Sequence, residues 1–375
     1  LIKVLLIFGT RPEAIKLAPV IRSLRNMPLI FNARVCVTAQ HRQILDQVLD
    51  LFEIIPDYDL NIMTTDQSLA QVTQKAVEGL SKIIETEGPD VVLVQGDTTT
   101  TFCGALAAFY NQVKVGHIEA GLRTSNKYAP FPEEINRRLT TQLTDYHFAP
   151  TEFARRSLIN EGIKENSICV TGNTVIDSLM WIQEKIKQKK LSLPDGLEDT
   201  LDGRRIVLVT GHRRENFGEG FKNICMAIRD IADRFDDVLF VYPVHLNPNV
   251  QEPVNRFLRG HQHIHLVEPL TYAPFVWLMN RATIVLTDSG GVQEEATSLG
   301  KPLLVLRETT ERPEAIEAGN AFLVGTKKET IISHLSDLLV RQHKIEEMAK
   351  TNNVYGDGQA AKRIVGILEK KLGDG

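Results

Sequence analysis

A chain of 375 residues is too long for one ordinary hydrophobic core, and 43% hydrophobic against 24% charged residues describes a soluble globular protein of two domains. A net charge of −4 with no long basic run argues against nucleic acid as the partner, because holding a phosphate backbone needs clustered Lys and Arg. Cys36, Cys103, Cys169 and Cys225 are far apart and form no C-x-x-C pair, which fits core thiols in a reducing cytoplasm, and no apolar run is long enough to span a bilayer.

In chain order, Ile2–Phe8 reads as a buried strand; its VLLIF core is too short for a signal peptide. Gly9 allows a sharp turn and Pro12 suits a first helical turn. From Glu13 to Arg25 the residues Ile15, Ala18, Ile21 and Leu24 recur at helical spacing. Arg11 sits at this corner and Lys16 one turn in, where both can reach an anion. The corner has neither G-x-G-x-x-G nor a P-loop. Ala33–Thr38 then predicts a strand, Arg42–Phe52 a helix, and Ser68–Glu85 a longer helix closed by Gly88-Pro89. Val91–Gln95 is a buried strand leading into GDTTTTF, Ala105–Tyr110 a helix, and Lys114–Ile118 a strand whose end carries EAGLRTSNKYAPFPEE. Glu133–Leu143 resumes helix and Tyr146–Ala149 strand.

This alternation predicts a doubly wound parallel sheet, in which ligands sit outside the carboxyl ends of the strands. Gly96-Asp97 and Glu119 fall at such ends. Thr174–Lys190 predicts an amphipathic helix with a basic end, and Pro194 to Gly203 punctuate a polar boundary. A second alternating set follows, with strands at Ile206–Thr210, Val238–Tyr242, Ile264–Val267, Ile284–Leu286 and Leu303–Leu306. The expected division is a first Rossmann-like domain over 1–172, a connection over 173–203, and a second Rossmann-like domain over 204–357. The helix in 358–375 is expected to rejoin the first domain.

The stretch VLTDSGGVQEEATSLGKPLLVLRETTER, Val285 to Arg312, is the sharpest local signal. A strand ends, Ser289, Gly290 and Gly291 turn, and a helix begins. A helix start offers unpaired backbone N–H groups and a positive dipole end, so it suits an anion. Glu294 and Glu295 can accept from sugar or ribose hydroxyls, and Arg312 lies where a loop can return it to a phosphate.

Taken together, GTRPEAIKLAP, QGDTTTTF, HIEAGLRT, FPEEINRR, TGHRRENFG, YPVHLNP and TDSGGVQEEATSLGKPLLVLRETTERPEA resemble the non-hydrolysing UDP-N-acetylglucosamine 2-epimerases. The motifs run in order over nearly the whole chain. The resemblance implies two Rossmann-like domains facing across a cleft, as in glycosyltransferase-B folds. It also implies a homodimer, no nicotinamide or other cofactor, and interconversion of UDP-N-acetylglucosamine (UDP-GlcNAc) and UDP-N-acetylmannosamine (UDP-ManNAc) for cell-surface polysaccharide synthesis. By matching position, the catalytic set is Asp97, Glu119 and Glu133 with His212. The substrate and its UDP then fall to Arg11, Lys16, Asp97, Glu119, His212, Leu270, Phe275, Ser289, Gly290, Gly291, Glu295 and Arg312, with Glu295 on the ribose. The bacterial enzymes of the family are also activated by UDP-GlcNAc at an adjacent site. The matching positions are Gln43, Gln47, Gln67, Arg213 and His245, while Asp66 stands where a basic residue is expected.

The chemistry makes demands of its own. Carbon 2 of the sugar is not beside a carbonyl, so its hydrogen is barely acidic. Breaking the bond from carbon 1 to UDP first makes that hydrogen labile, and its loss leaves a 2-acetamidoglucal. The leaving diphosphate needs preorganised donors, and the proton needs a base on one face and an acid on the other. Rival readings are a glycosyltransferase on the same fold, a sugar-nucleotide sensor, and a hydrolysing epimerase, for whose usual kinase domain 375 residues leave no room. Two further patterns are set aside for metal. Asp57-Tyr58-Asp59 spells D-x-D in a loop, and His261, His263 and His265 alternate as on one strand face without a completing ligand.

Overall fold

Apolar runs such as Val4–Phe8 and Val91–Val94 are buried on both faces, the pattern of parallel strands covered by helices. The computed structural model describes residues 1–38, 42–63, 67–124, 126–188, 201, 203–350 and 353–373. The chain forms two units, Leu1–Ser178 with Tyr355–Gly375, and Leu179–Val354.

The first unit runs β1 (Ile2–Phe8), α1 (Arg11–Arg25), β2 (Phe31–Val37), α2 (Arg42–Leu51), β3 (Tyr58–Asp59), α3 (Leu69–Glu87), β4 (Val91–Gln95) and α4 (Thr99–Tyr110). It continues through β5 (Lys114–Ile118), α5 (Glu133–Leu143), β6 (Tyr146–Ala149), α6 (Glu152–Asn160) and β7 (Ile168–Val170) to α7 (Thr174–Lys187), which crosses the boundary. Its strands form a seven-stranded parallel sheet in the order β3-β2-β1-β4-β5-β6-β7.

The second unit holds β8 (Arg205–Thr210), α8 (Glu219–Ala232), β9 (Val238–Pro243), α9 (Pro248–Leu258), β10 (Ile264–Val267), α10 (Tyr272–Arg281) and β11 (Ile284–Thr287). After these come α11 (Gly290–Ser298), β12 (Leu303–Val305), α12 (Glu314–Glu317), β13 (Ala321–Leu323), α13 (Lys328–Val340) and α14 (Gln342–Met348). Its six-stranded sheet has the order β10-β9-β8-β11-β12-β13. The last helix, α15 (Ala360–Leu372), belongs to the first unit. Asp177, in α7, pins its start by accepting from the backbone N–H of Ala360 at 3.2 Å and of Ala361 at 2.9 Å.

Several local expectations change. α4 begins at Thr99, not Ala105, because the hydroxyls of the threonine run find partners in Thr38, Glu13 and Gln95. Thr98 Oγ1 caps the Thr101 N–H at 3.2 Å, and Thr101 Oγ1 donates to Gln95 O at 2.6 Å. Of the D-x-D residues, Tyr58 and Asp59 form an edge strand on β2. Asp57 is held by Arg34 Nη1 and by the backbone N–H of Val35, at 2.7 and 2.8 Å. Only His265 of the alternating histidines lies in β10; His261 and His263 sit in the turn before it, so the shared strand face does not form. No helix among the described residues is long and apolar enough to cross a membrane.

Candidate active site

Both sheets reverse their winding between two central strands, β1 and β4 in the first, β8 and β11 in the second. In sheets wound this way, ligands bind at the carboxyl ends beside such a reversal. In the first unit this rim is built from the turns after β1, β4 and β5. Glu13, a residue the motif reading passes over, ties two of those turns together. Its Oε2 accepts from the Gly9 and Thr10 N–H groups at 3.1 and 2.8 Å, and its Oε1 from Thr98 Oγ1 at 2.7 Å. Burial raises the pKa of this carboxyl despite those hydrogen bonds.

Glu119 follows β5 and is buried in the left-handed region at φ 67°, a strain on the order of 1–3 kcal/mol for a side-chain-bearing residue. Its Oε1 accepts from Lys16 Nζ at 2.5 Å and from Asn173 Nδ2 at 3.5 Å, and its Oε2 from Gln95 Nε2. Lys16, read as an anion ligand, thus has a carboxylate partner in its own unit. A Cβ on Gly96 would lie 3.6 Å from Glu119 Oε2, so Glu119 stands beside the Gly96-Asp97 turn. The Asp97 carboxylate is held at 2.5 Å by Arg137 Nη2, and the Asp97 carbonyl at 3.0 Å by Asn136 Nδ2. Arg137 and Asn136 lie in α5, whose first residue is the half-buried Glu133. Arg11, half-buried, opens α1 on the same rim.

His117, in β5, is buried and its Nε2–H donates to Gly96 O at 2.7 Å. Burial, reinforced by His147 and Arg123, pushes its pKa down to about 3 against the opposing effects of that bond and Glu119. It is therefore a neutral tie behind the Asp97 turn.

In the second unit, Asp288 at the end of β11 is fully buried and organises the loop after β8. Its Oδ2 accepts from the N–H groups of His212 and Arg213 at 3.0 and 2.9 Å and from Asn216 Nδ2 at 3.1 Å. The His212 ring lies 3.6 Å from Asp288 Oδ1 and stacks on His245 with centroids 5.4 Å apart. Burial, Arg213 and His245 lower its pKa, opposed by Asp288. Arg213 and His245, expected at an activator site, therefore adjoin His212. Gln47 is exposed on α2, and Gln67 Nε2 donates to Ile62 O at 3.0 Å. Gln43 lies in α2 with its side chain outside the described part, and Asp66 lies outside the described residues.

The expected anion corner forms as α11. Ser289 is its N-cap residue but makes no side-chain capping bond, whereas Ser68, Thr98 and Thr151 all cap their helices. A Cβ on Gly290 would sit 2.6 Å from Arg312 Nη1, while one on Gly291 would meet nothing within 4 Å. Arg312 is buried against this helix start with two carboxylates: its Nε donates to Glu294 Oε1 at 2.6 Å and its Nη1 to Glu311 Oε1 at 2.5 Å. Arg307 joins from the other side, bonding Glu311 and Glu215 at 2.9 Å each. Burial works to raise the Glu311 pKa, but Arg312, Arg307 and Arg213 prevail and hold it far below the usual carboxylate range. Glu295 Oε1 accepts from Tyr272 Oη at 2.6 Å. Leu270 and Phe275, both half-buried, flank Tyr272 at the start of α10.

The rim of the first unit gathers the carboxylates of Asp97 and Glu119, and that of the second presents a helix start of the kind that suits an anion. The model of the UDP-N-acetylglucosamine 2-epimerase family matches residues 22–369. The chain belongs to this family. It is similar to the UDP-N-acetylglucosamine 2-epimerase of Escherichia coli K12, 53% identical over 370 residues and 98% of each chain. The crystal structure of the Neisseria meningitidis epimerase bound to UDP-GlcNAc is 52% identical, with a TM-score of 0.94 over 98% of this chain and 100% of that one. The Methanocaldococcus jannaschii epimerase, in complex with UDP-GlcNAc and UDP, is 36% identical with a TM-score of 0.83, over 98% and 100%. The fold of the family, two parallel-sheet α/β domains of the glycosyltransferase-B type, is the fold of this chain.

Proposed function

We propose that this chain interconverts UDP-GlcNAc and UDP-ManNAc by eliminating UDP and adding it back. The observation that carries this reading is the first-unit rim, where Asp97 and Glu119 stand at neighbouring strand ends and α5, which starts at Glu133, grips Asp97. The bond from carbon 1 to the UDP oxygen breaks, its electron pair leaving with UDP. A carboxylate takes the proton from carbon 2, and the C–H electrons form the double bond of 2-acetamidoglucal. A second carboxyl returns a proton to the opposite face of carbon 2, and UDP re-adds at carbon 1. The Ser289-Gly290-Gly291 helix start, with Arg11 and His212, receives charge building on the diphosphate. Glu295 serves the ribose, oriented by Tyr272. The same reading makes the enzyme a homodimer, activated by its substrate near Arg213 and His245.

Incubation with UDP-GlcNAc alone in heavy water tests it. The expected product is a mixture of both UDP-sugars, deuterated at carbon 2, with little free UDP. Stoichiometric UDP and free N-acetylmannosamine would instead identify hydrolysis, and full retention of the original hydrogen would sink the elimination route.

A further inference from the structure

The proposed chemistry uses only Glu133 of the FPEEINRR motif, yet the buried side chains of this segment are Glu134, Asn136 and Arg137. Glu133, Asn136 and Arg137 are spaced i, i+3 and i+4 and so share one face of α5. Arg137 is only 4% exposed. Its Nη2 holds Asp97 Oδ2 at 2.5 Å, and its Nη1 lies 3.4 Å from Oε2 of the fully buried Glu134. Glu134 is anchored independently, by the Thr124 N–H at 3.0 Å and Arg138 Nε at 2.8 Å. Asn136 meanwhile fixes the Asp97 carbonyl. Main chain and carboxylate of Asp97 are thus gripped by adjacent residues of one helix, while the Asp97 side chain keeps 29% of its surface open. Burying a guanidinium against carboxylates adds little net stability compared with apolar packing, so stability does not explain this arrangement.

We propose that Arg137 is a positioning residue for the epimerisation, holding one Asp97 oxygen so that the other meets the proton at carbon 2. This rests on Asp97 being a proton carrier. Misplacing a reacting group by about 1 Å can cost roughly 10²-fold in rate, which sets the expected scale.

The test is a double-mutant cycle on turnover, with UDP binding measured by calorimetry. Arg137→Met should lower kcat by roughly 10²-fold and leave KM and UDP affinity at wild-type values. Arg137→Lys, which keeps a cation, should recover part of the loss. In an Asp97→Asn background the same Arg137→Met change should have no further effect, because Arg137 has nothing left to position. Slowing the Asp97→Asn enzyme by the full factor, or raising KM with kcat intact, would overturn the proposal. Normal turnover by Asp97→Asn alone is a different result and would remove the underlying role of Asp97. Glu134 keeps Thr124 and Arg138 in every variant, and Arg137→Lys retains the charge. If Arg137→Met does not fold, the kcat-against-KM split of Arg137→Lys alone therefore decides: lower kcat with KM unchanged supports the proposal, and any other outcome overturns it.

Discussion

At the scale of single residues, buried acids divide by what satisfies them. Glu13 and Asp288 accept mainly from backbone N–H and neutral side-chain donors and act as staples for the turns of the two rims. Asp97 and Glu119 are held by Arg137 and Lys16 and remain at the rim. Sequence reading picks Asp97 and Glu119 from their motifs but cannot separate an acid that staples turns from one held by a cation at the rim, because both are carboxylates near strand ends. His117 is legible only as part of HIEAG, and its neutrality follows from burial. Its pKa is about 3 in the fold and 6.5 ordinarily, so below 6.5 the unfolded chain takes up a proton that the native one refuses. The stability from burying it neutral is therefore fully present above about pH 6.5 and lost as pH falls from there toward about 3. The unfolding midpoint should drop between about pH 7 and pH 5, and His117→Gln, which retains an N–H for Gly96 O, should show a shallower drop. An identical slope in the variant would assign that proton uptake to other groups, the buried His147 first among them.

At the scale of elements, the start of α11 shows why two adjacent glycines are not equivalent. At Gly290 an added methyl group collides with the Arg312 guanidinium at 2.6 Å, so Gly290→Ala must displace a buried cation held by Glu294 and Glu311. At Gly291 the methyl group points into open space at the helix start. Gly290→Ala should therefore lower both the unfolding temperature and the affinity for UDP. Gly291→Ala should leave the unfolding temperature in place, or raise it slightly through the better helix propensity of alanine, and weaken UDP alone. Calorimetric titration beside thermal melts distinguishes the two. UDP affinity unchanged in Gly291→Ala would remove the diphosphate from this helix start. The strand-turn-helix is legible because each signal is local: a β-branched run, a Ser-Gly-Gly turn, a Gly-Pro stop. The start of α4 is misread because threonine disfavours helix unless its hydroxyls find partners, and those lie in other segments.

At the scale of the whole molecule, the proposed function divides the work between the units, chemistry on the first rim and nucleotide on the second. Asp97→Asn keeps size and hydrogen-bonding reach but cannot take a proton. It should cut turnover by roughly 10²–10⁴-fold while UDP still binds. Arg312→Ala should weaken UDP by about 1.5–3 kcal/mol, the range for hydrogen bonds to charged groups. Because Glu294 and Glu311 lose their shared cation, this variant should also melt at a lower temperature. Turnover at saturating substrate and calorimetry with UDP separate the two effects. Equal loss of UDP binding in both variants would end the division.

What the sequence by itself determined is the alternation of strands and helices, two sheets, and the corners at the strand ends, because periodicity and turn chemistry are written within a few residues of each other. The motif set also carried the family, since its members keep their order along the chain. What only the tertiary structure decided is which charge meets which. Lys16 and Glu119 are 103 positions apart, and Arg137 and Asp97 are 40 apart. No local pattern encodes such pairs. They exist because parallel crossovers return distant strand ends to one rim, where an ion that has lost its water must find its partner in the fold.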